Sequence, residues 1–163
     1  IPIIIYNIPS RSVIDMSVNT MSKLYELKNI IGVKDATGEL DRVDQQLKAM
    51  GNKFIQLTGN DDNSLEFNKR GGVGSISVTA NIAAKYCSEF QKACASNISK
   101  AEELDKILQP VHSAMFIESN PSPVKYAASL LGMCNPSVRL PLVEVKDETK
   151  KKVSEALKVA KLL

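Results

Sequence analysis

Lys34 closes a run of branched apolar residues, Ile30-Ile31-Gly32-Val33, and is followed by the turn formers Asp35, Thr37 and Gly38. Such a run reads as a buried strand with the lysine at its C-terminal end. Period-two alternation places Ile30, Gly32 and Lys34 on one face and Ile31 and Val33 on the other. A glycine therefore lies beneath the lysine and leaves it room inside a core. An amine held in apolar surroundings loses the water that stabilises its charge and becomes a nucleophile toward a carbonyl. On the preceding strand Tyr6 shares a face with Ile4, and a phenol placed there can pass protons. Arg11 lies in the turn after that strand, where its guanidinium fork can bind a carboxylate bidentately. Spacing alone leaves plainer readings open: a solvated lysine at a strand end, a core tyrosine with a satisfied hydroxyl, and a solvated turn arginine.

The elements that must position these groups follow in order. The chain opens directly on a strand, Ile1-Pro2-Ile3-Ile4-Ile5-Tyr6-Asn7, without an initiator Met, so the expectation is that something upstream is missing. The turn Ile8-Pro9-Ser10-Arg11 follows, and Ser17 is expected to cap a helix whose apolar positions are Val18, Met21, Leu24, Tyr25 and Leu27. After the lysine strand, Leu40, Val43, Leu47 and Met50 step at helical spacing and stop at Gly51. Residues 54–58 read as a third strand, ending at Gly59-Asn60-Asp61-Asp62 and leading into a short helix with Leu65 and Phe67. Residues 73–78 read as a fourth strand, before a helix aligning Ile82, Tyr86, Phe90 and Cys94. Four strand-helix alternations with short loops predict an α/β fold with a parallel sheet covered by helices.

From about residue 96 the pattern becomes helical. Ser99 has capping-box spacing to Glu102, ahead of a stripe of Leu104, Ile107, Leu108, Val111 and Met115 in which Pro110 should produce a kink. A helix with Val124, Ala127, Ala128 and Leu131 follows Pro121 and Pro123, and Asp147 is expected to cap a last helix with Val153, Ala156, Leu157 and Ala160 facing inward. The domain division expected is therefore 1–95 and 96–163.

Composition narrows the function classes. A chain of 163 residues with 44% hydrophobic content can fill one core, and its net charge of +3, 5% aromatic content and lack of Trp favour neither nucleic acid nor an anionic membrane as partner. No apolar run approaches the roughly 18 residues that span a bilayer, and the N-terminus lacks the features of a secretion signal, so a cytoplasmic small-molecule protein is expected. Cys87, Cys94 and Cys134 are odd in number with no CxxC spacing, which points to buried thiols rather than to disulfides or zinc. The glycine-rich run Arg70-Gly71-Gly72-Val73-Gly74 precedes a strand and lacks the lysine and hydroxyl of a phosphate loop, so it reads as a helix-to-strand turn. The single histidine, His112, falls among the C-terminal helices and is expected to pack there.

Two motifs carry a family resemblance. Tyr6-Asn7-Ile8-Pro9-Ser10-Arg11 and Gly32-Val33-Lys34-Asp35-Ala36-Thr37-Gly38, each at a strand end, resemble the dihydrodipicolinate synthase family of pyruvate-dependent Schiff-base (class I) aldolases. Thr58-Gly59-Asn60-Asp61, Gly74-Ser75-Ile76-Ser77-Val78 and Arg139-Leu140-Pro141-Leu142 extend the match in family order. The resemblance covers the whole chain but only a little over half of the family's length. It implies a TIM (β/α)8 barrel, of which strands five to eight and the C-terminal helical extension would be present. It implies a lyase of the diaminopimelate and lysine biosynthesis pathway that condenses pyruvate with L-aspartate semialdehyde. Lys34 would form the imine, Tyr6 would relay protons and Arg11 would bind the semialdehyde carboxylate. Gly59, Asn60 and Ile76 would line the pyruvate pocket. No metal or diffusible cofactor would be required. The family's first-half residues, including the paired threonines of the relay, a tyrosine from a neighbouring subunit and the positions that bind inhibitory lysine, lie outside this chain. The partners implied are further copies, as a homotetramer, or the other half of the barrel. Two alternatives stay open: a sister aldolase acting with N-acetylneuraminate or 2-keto-3-deoxy sugar acids, against which Arg11 argues, and a catalytically silent half-barrel serving as an assembly module.

Overall fold

The computed structural model describes all residues, Ile1–Leu163. Four parallel strands, β1 (Ile3–Asn7), β2 (Ile30–Asp35), β3 (Ile55–Thr58) and β4 (Gly74–Ser75), form one sheet in the order β1-β2-β3-β4. Because every neighbouring pair is parallel, all four C-terminal ends emerge on the same side, where the chain makes its turns into α1 (Pro9–Ser12), the 36–40 loop, the 59–63 loop and residues 76–78. The chain divides into two compact units, Ile1–Ser77 and Val78–Leu163.

In the first unit, α2 (Val18–Tyr25), α3 (Asp41–Met50) and α4 (Ser64–Lys69) accompany the sheet. Met21, Val33 and Phe54 form the buried cluster, with Ile5, Met16, Tyr25 and Met50 packed against it and the Tyr25 and Phe54 rings meeting edge-on at 5.0 Å. Ser17 caps α2 as expected, its hydroxyl accepting from the Thr20 amide at 3.1 Å. The other face of the sheet is less covered: Ile4 and Tyr6 are exposed. Arg70, at the end of α4, donates to Asp41 and Asp44 on α3 at 2.6 and 3.0 Å. The Asp41 hydrogen bond foremost holds this guanidinium above the usual arginine range. The glycine-rich run after it is a helix-to-strand turn, with Gly71 at φ +114°.

The fourth strand is shorter than residues 73–78. The Val73 amide donates to Gln56 and the Ile76 amide to Thr58, so pairing with β3 reaches from 73 to 76, but β4 has a neighbour on one side only and its regular part is Gly74–Ser75. Val78 lies outside the sheet, before a 3-10 turn at Thr79–Asn81.

The second unit is helical: α5 (Ala84–Ser96), α6 (Ile98–Ala114), α7 (Ser122–Leu130) and α8 (Asp147–Val159). Its core joins Ile82, Val111, Met115, Ala127, Val153 and Leu157. His112 is buried here with Nδ1 2.7 Å from the Thr79 hydroxyl, the packing role expected of it. Three expectations are corrected. Asn97, not Ser99, caps α6, because its side chain is the one that reaches the Lys100 amide. Asp147 is the first residue of α8 rather than its cap, and its carboxylate pairs with Lys150. The cysteines are not buried: Cys87 and Cys94 are half-buried and Cys134 is exposed. The start of α8 is held instead by Glu118, which accepts from the Lys146 amide at 2.9 Å. A hydrogen bond from Thr149 and this amide keep the Glu118 carboxyl below the ordinary range. No helix is long and apolar enough to cross a membrane.

Candidate active site

Register assembles the site. Tyr6 on β1 lies opposite Lys34 on β2, which lies opposite Leu57 on β3, and Leu57 opposite Gly74 on β4. Side chains in such a row share a face of the sheet. The Lys34 ammonium stands over the Tyr6 ring, 4.0 Å from its centroid. Lys34 is half-buried and Tyr6 is exposed, so Tyr6 is not a core tyrosine, and it meets the amine with its ring face.

The space around the lysine is made by a different glycine from the one the alternation suggests. A Cβ on Gly32 would lie on top of the carbonyl oxygen of Ile55 and against its Cβ, so Gly32 permits the close approach of β3 to β2. A Cβ on Gly59 would lie 3.1 Å from Lys34 Cε and 2.7 Å from Ala36 Cβ. Gly59 therefore leaves room for the lysine side chain beside Ala36. Replacing Gly59 with alanine is expected to cost about 1–3 kcal/mol through overpacking and to slow modification of Lys34 by a carbonyl reagent. Thermal melts and lysine-specific mass mapping of G59A check both effects.

The opposite row, Asn7, Asp35, Thr58 and Ser75, faces the helices and fixes the strand ends. Asp35, directly after Lys34, is 4% exposed and its carboxylate is saturated. One oxygen accepts from the Thr37 amide and hydroxyl at 3.0 and 2.7 Å. The other accepts from Arg42 Nε and Gln46 Nε2, both at 2.9 Å. Arg42, also buried, continues to Asp15 at 3.3 Å and to the Met16 carbonyl at 2.8 Å. Asn7 completes the lattice by donating to Asp15 and accepting from the Met16 amide. A buried carboxylate and guanidinium are tolerable because each is paired and hydrogen-bonded. Sequence reading missed this lattice. Asp35 was read only as a turn former and Arg42 was not singled out; an acid at a strand end with a base seven residues later is the one local signal that points to the pair.

The remaining sequence-derived candidates lie at the same ends of the strands. Arg11 is exposed on α1, just past β1, and Ile76 is exposed just past β4. Asn60 follows β3, its amide donating to Thr58 Oγ1 at 3.0 Å, while its own side-chain oxygen is buried without a hydrogen-bond partner. No cluster of three His, Cys, Asp or Glu side chains is placed to hold a metal ion.

Residues 1–160 match the model of the Dihydrodipicolinate synthetase family. The chain belongs to the dihydrodipicolinate synthetase family. It is 73% identical over its full length to the 4-hydroxy-tetrahydrodipicolinate synthase of Pelagibacter ubique, of which it covers 57%. Dihydrodipicolinate synthase from Aquifex aeolicus superposes with a TM-score of 0.95 at 40% identity over 99% of this chain and 56% of that one. The chloride-inhibited dihydrodipicolinate synthase of Acinetobacter baumannii, solved with pyruvate, gives 0.95 at 37% identity over 99% and 56%. The chain thus spans about half the length of the family members it matches. Its four strands correspond to about half of their TIM barrel, as the resemblance implied.

Proposed function

We propose that this chain carries the imine-forming half of a 4-hydroxy-tetrahydrodipicolinate synthase, a lyase condensing pyruvate with L-aspartate semialdehyde. The observation that carries the reading is Lys34 at the C-terminal end of a parallel strand, over the Tyr6 ring, in a chain of this family. Strand C-terminal ends are where barrel enzymes keep their reacting groups. The amine of Lys34 attacks the ketone carbon of pyruvate and water leaves, giving an iminium whose nitrogen draws electrons as the methyl carbon loses a proton. The enamine so formed attacks the aldehyde carbon, whose oxygen takes up a proton. The amine of the semialdehyde then attacks the regenerated iminium carbon and releases Lys34 as the free amine. Tyr6 passes protons in imine formation together with groups from the rest of the barrel. Arg11 holds the semialdehyde carboxylate. Gly59, Asn60 and Ile76 line the pyruvate side, and the unpartnered Asn60 oxygen is an acceptor for a donor there. The pyruvate complex of the A. baumannii relative supports the substrate class.

In this reading residues 1–95 supply the barrel portion and 96–163 the extension. The protein works in the cytoplasm with no metal or diffusible cofactor. Its partners are further copies, as a homotetramer, or the remaining half of the barrel. Arg11 separates this activity from that of sister aldolases. Arg11→Ala, tested in the chain supplied with the part of the P. ubique enzyme that it does not cover, is expected to raise the KM for aspartate semialdehyde about 10- to 100-fold, the worth of a hydrogen-bonded charge of roughly 1.5–3 kcal/mol. An unchanged preference for the semialdehyde over sugar-derived aldehydes would remove Arg11 from this role.

A further inference from the structure

The loop that carries Arg11 is tied to the strand that carries Lys34 through Asp15, Asn7 and Arg42, none of which is assigned a substrate role above. Asp15 accepts from Asn7 at the end of β1 with one oxygen, at 2.8 Å, and from Arg42 with the other, at 3.3 Å. Arg42 in turn grips Asp35, the residue after Lys34, and the carbonyl of Met16. Within the loop, Ser12 Oγ lies 2.9 Å from the carbonyls of both Ile8 and Ile14, and Val13 is held at φ +65°, a left-handed conformation costly for a β-branched residue. The 8–16 loop is therefore bent and pinned at its end by Asp15 and the Met16 backbone, each of which bonds to both Asn7 and Arg42, and Asp15 is the one side chain of the loop that does so.

We propose that Asp15 is a positioning residue for substrate selection: through Asn7 and Arg42 it sets the place of Arg11 relative to Lys34. The inference rests on the roles proposed above for Lys34 and Arg11 and extends them to a residue that neither touches the reacting atoms nor belongs to the buried core. Asp15 keeps 44% of its side chain exposed, and its truncation leaves Arg42 its bonds to Asp35 through Nε and to the Met16 carbonyl through Nη2.

The test is Asp15→Ala in the chain completed with the uncovered part of the P. ubique enzyme. Misplacing a group by about 1 Å can cost on the order of a hundredfold, and the expected result, for a smaller displacement, is a KM for aspartate semialdehyde raised about tenfold. The KM for pyruvate and the yield of borohydride-trapped pyruvate on Lys34 are expected to stay unchanged. Amide exchange in residues 9–16 of the chain itself, with Asp15→Asn as a second variant, is expected to quicken while exchange in β2 does not. Equal shifts of both KM values, no shift in either, or unaltered exchange in the loop would overturn the role of Asp15. Failure to trap pyruvate on Lys34 in the unsubstituted protein would instead overturn the reading of the site on which the proposal rests.

Discussion

Lys34→Arg is expected to eliminate imine formation and to reduce condensation by at least about a thousandfold, the scale seen when a covalent nucleophile is removed from an otherwise intact site. Arginine keeps the charge and much of the reach of lysine, so it retains a cation over the Tyr6 ring, yet a guanidinium does not form the imine. The fold is expected to survive, because Lys34 is half-buried, with no ion pair of its own among the strand-end contacts, and its neighbour Asp35 holds the backbone. The comparison that matters is therefore between two measurements on one variant: a thermal melt close to the parent's and an activity near the uncatalysed level. A K34R protein that still turned over pyruvate and semialdehyde would mean that the chemistry runs through another group.

Arg42→Met is expected to have the largest effect on stability. Arg42 and Asp35 are 8% and 4% exposed at their side chains, and removing the guanidinium leaves a buried carboxylate held only by Thr37 and Gln46. Breaking such a pair costs about 3–5 kcal/mol. For a chain of this size each kcal/mol moves the melting temperature by about 2–4 °C, so a fall of roughly 6–20 °C is expected. Adding Asp35→Asn to Arg42→Met should recover part of the loss, because the uncompensated charge is then gone. A double-mutant cycle checks this, and additive losses would show that the two side chains act separately. The loss should also reach function, since the same pair fixes the strand end that carries Lys34.

Much of this arrangement was legible in the residues. The strand run ending at Lys34, the Tyr6 strand before it and the capping serine at position 17 all follow from local rules, because strand periodicity, turn chemistry and N-cap hydrogen bonds depend on residues within a few positions of each other. The parallel sheet followed from the alternation of elements. What escaped were contacts between segments. Gly32 and Gly59 have the same chemistry, and only the distance from each to β3 or to Lys34 tells which gives the lysine its room. Arg42 lies next to the apolar Val43 on a helix, and nothing local distinguishes it from a solvated arginine until α3 is packed against the end of β2. Asn97 and Ser99 are both good caps, and the choice between them turns on which side chain faces a free amide. β4 was read as six residues because its composition is strand-like, whereas its regular extent is set by where its backbone bonds to β3, which run only from Val73 to Ile76.

The proposed function stands or falls on Lys34 being the residue that bonds to the substrate. The direct measurement is reduction with borohydride in the presence of pyruvate, on the chain completed with the uncovered part of the P. ubique enzyme, followed by peptide mass mapping. A reduced pyruvate adduct is expected on Lys34 and on none of the other lysines. An absence of any adduct, or an adduct on another lysine with Lys34 unmodified, would contradict it.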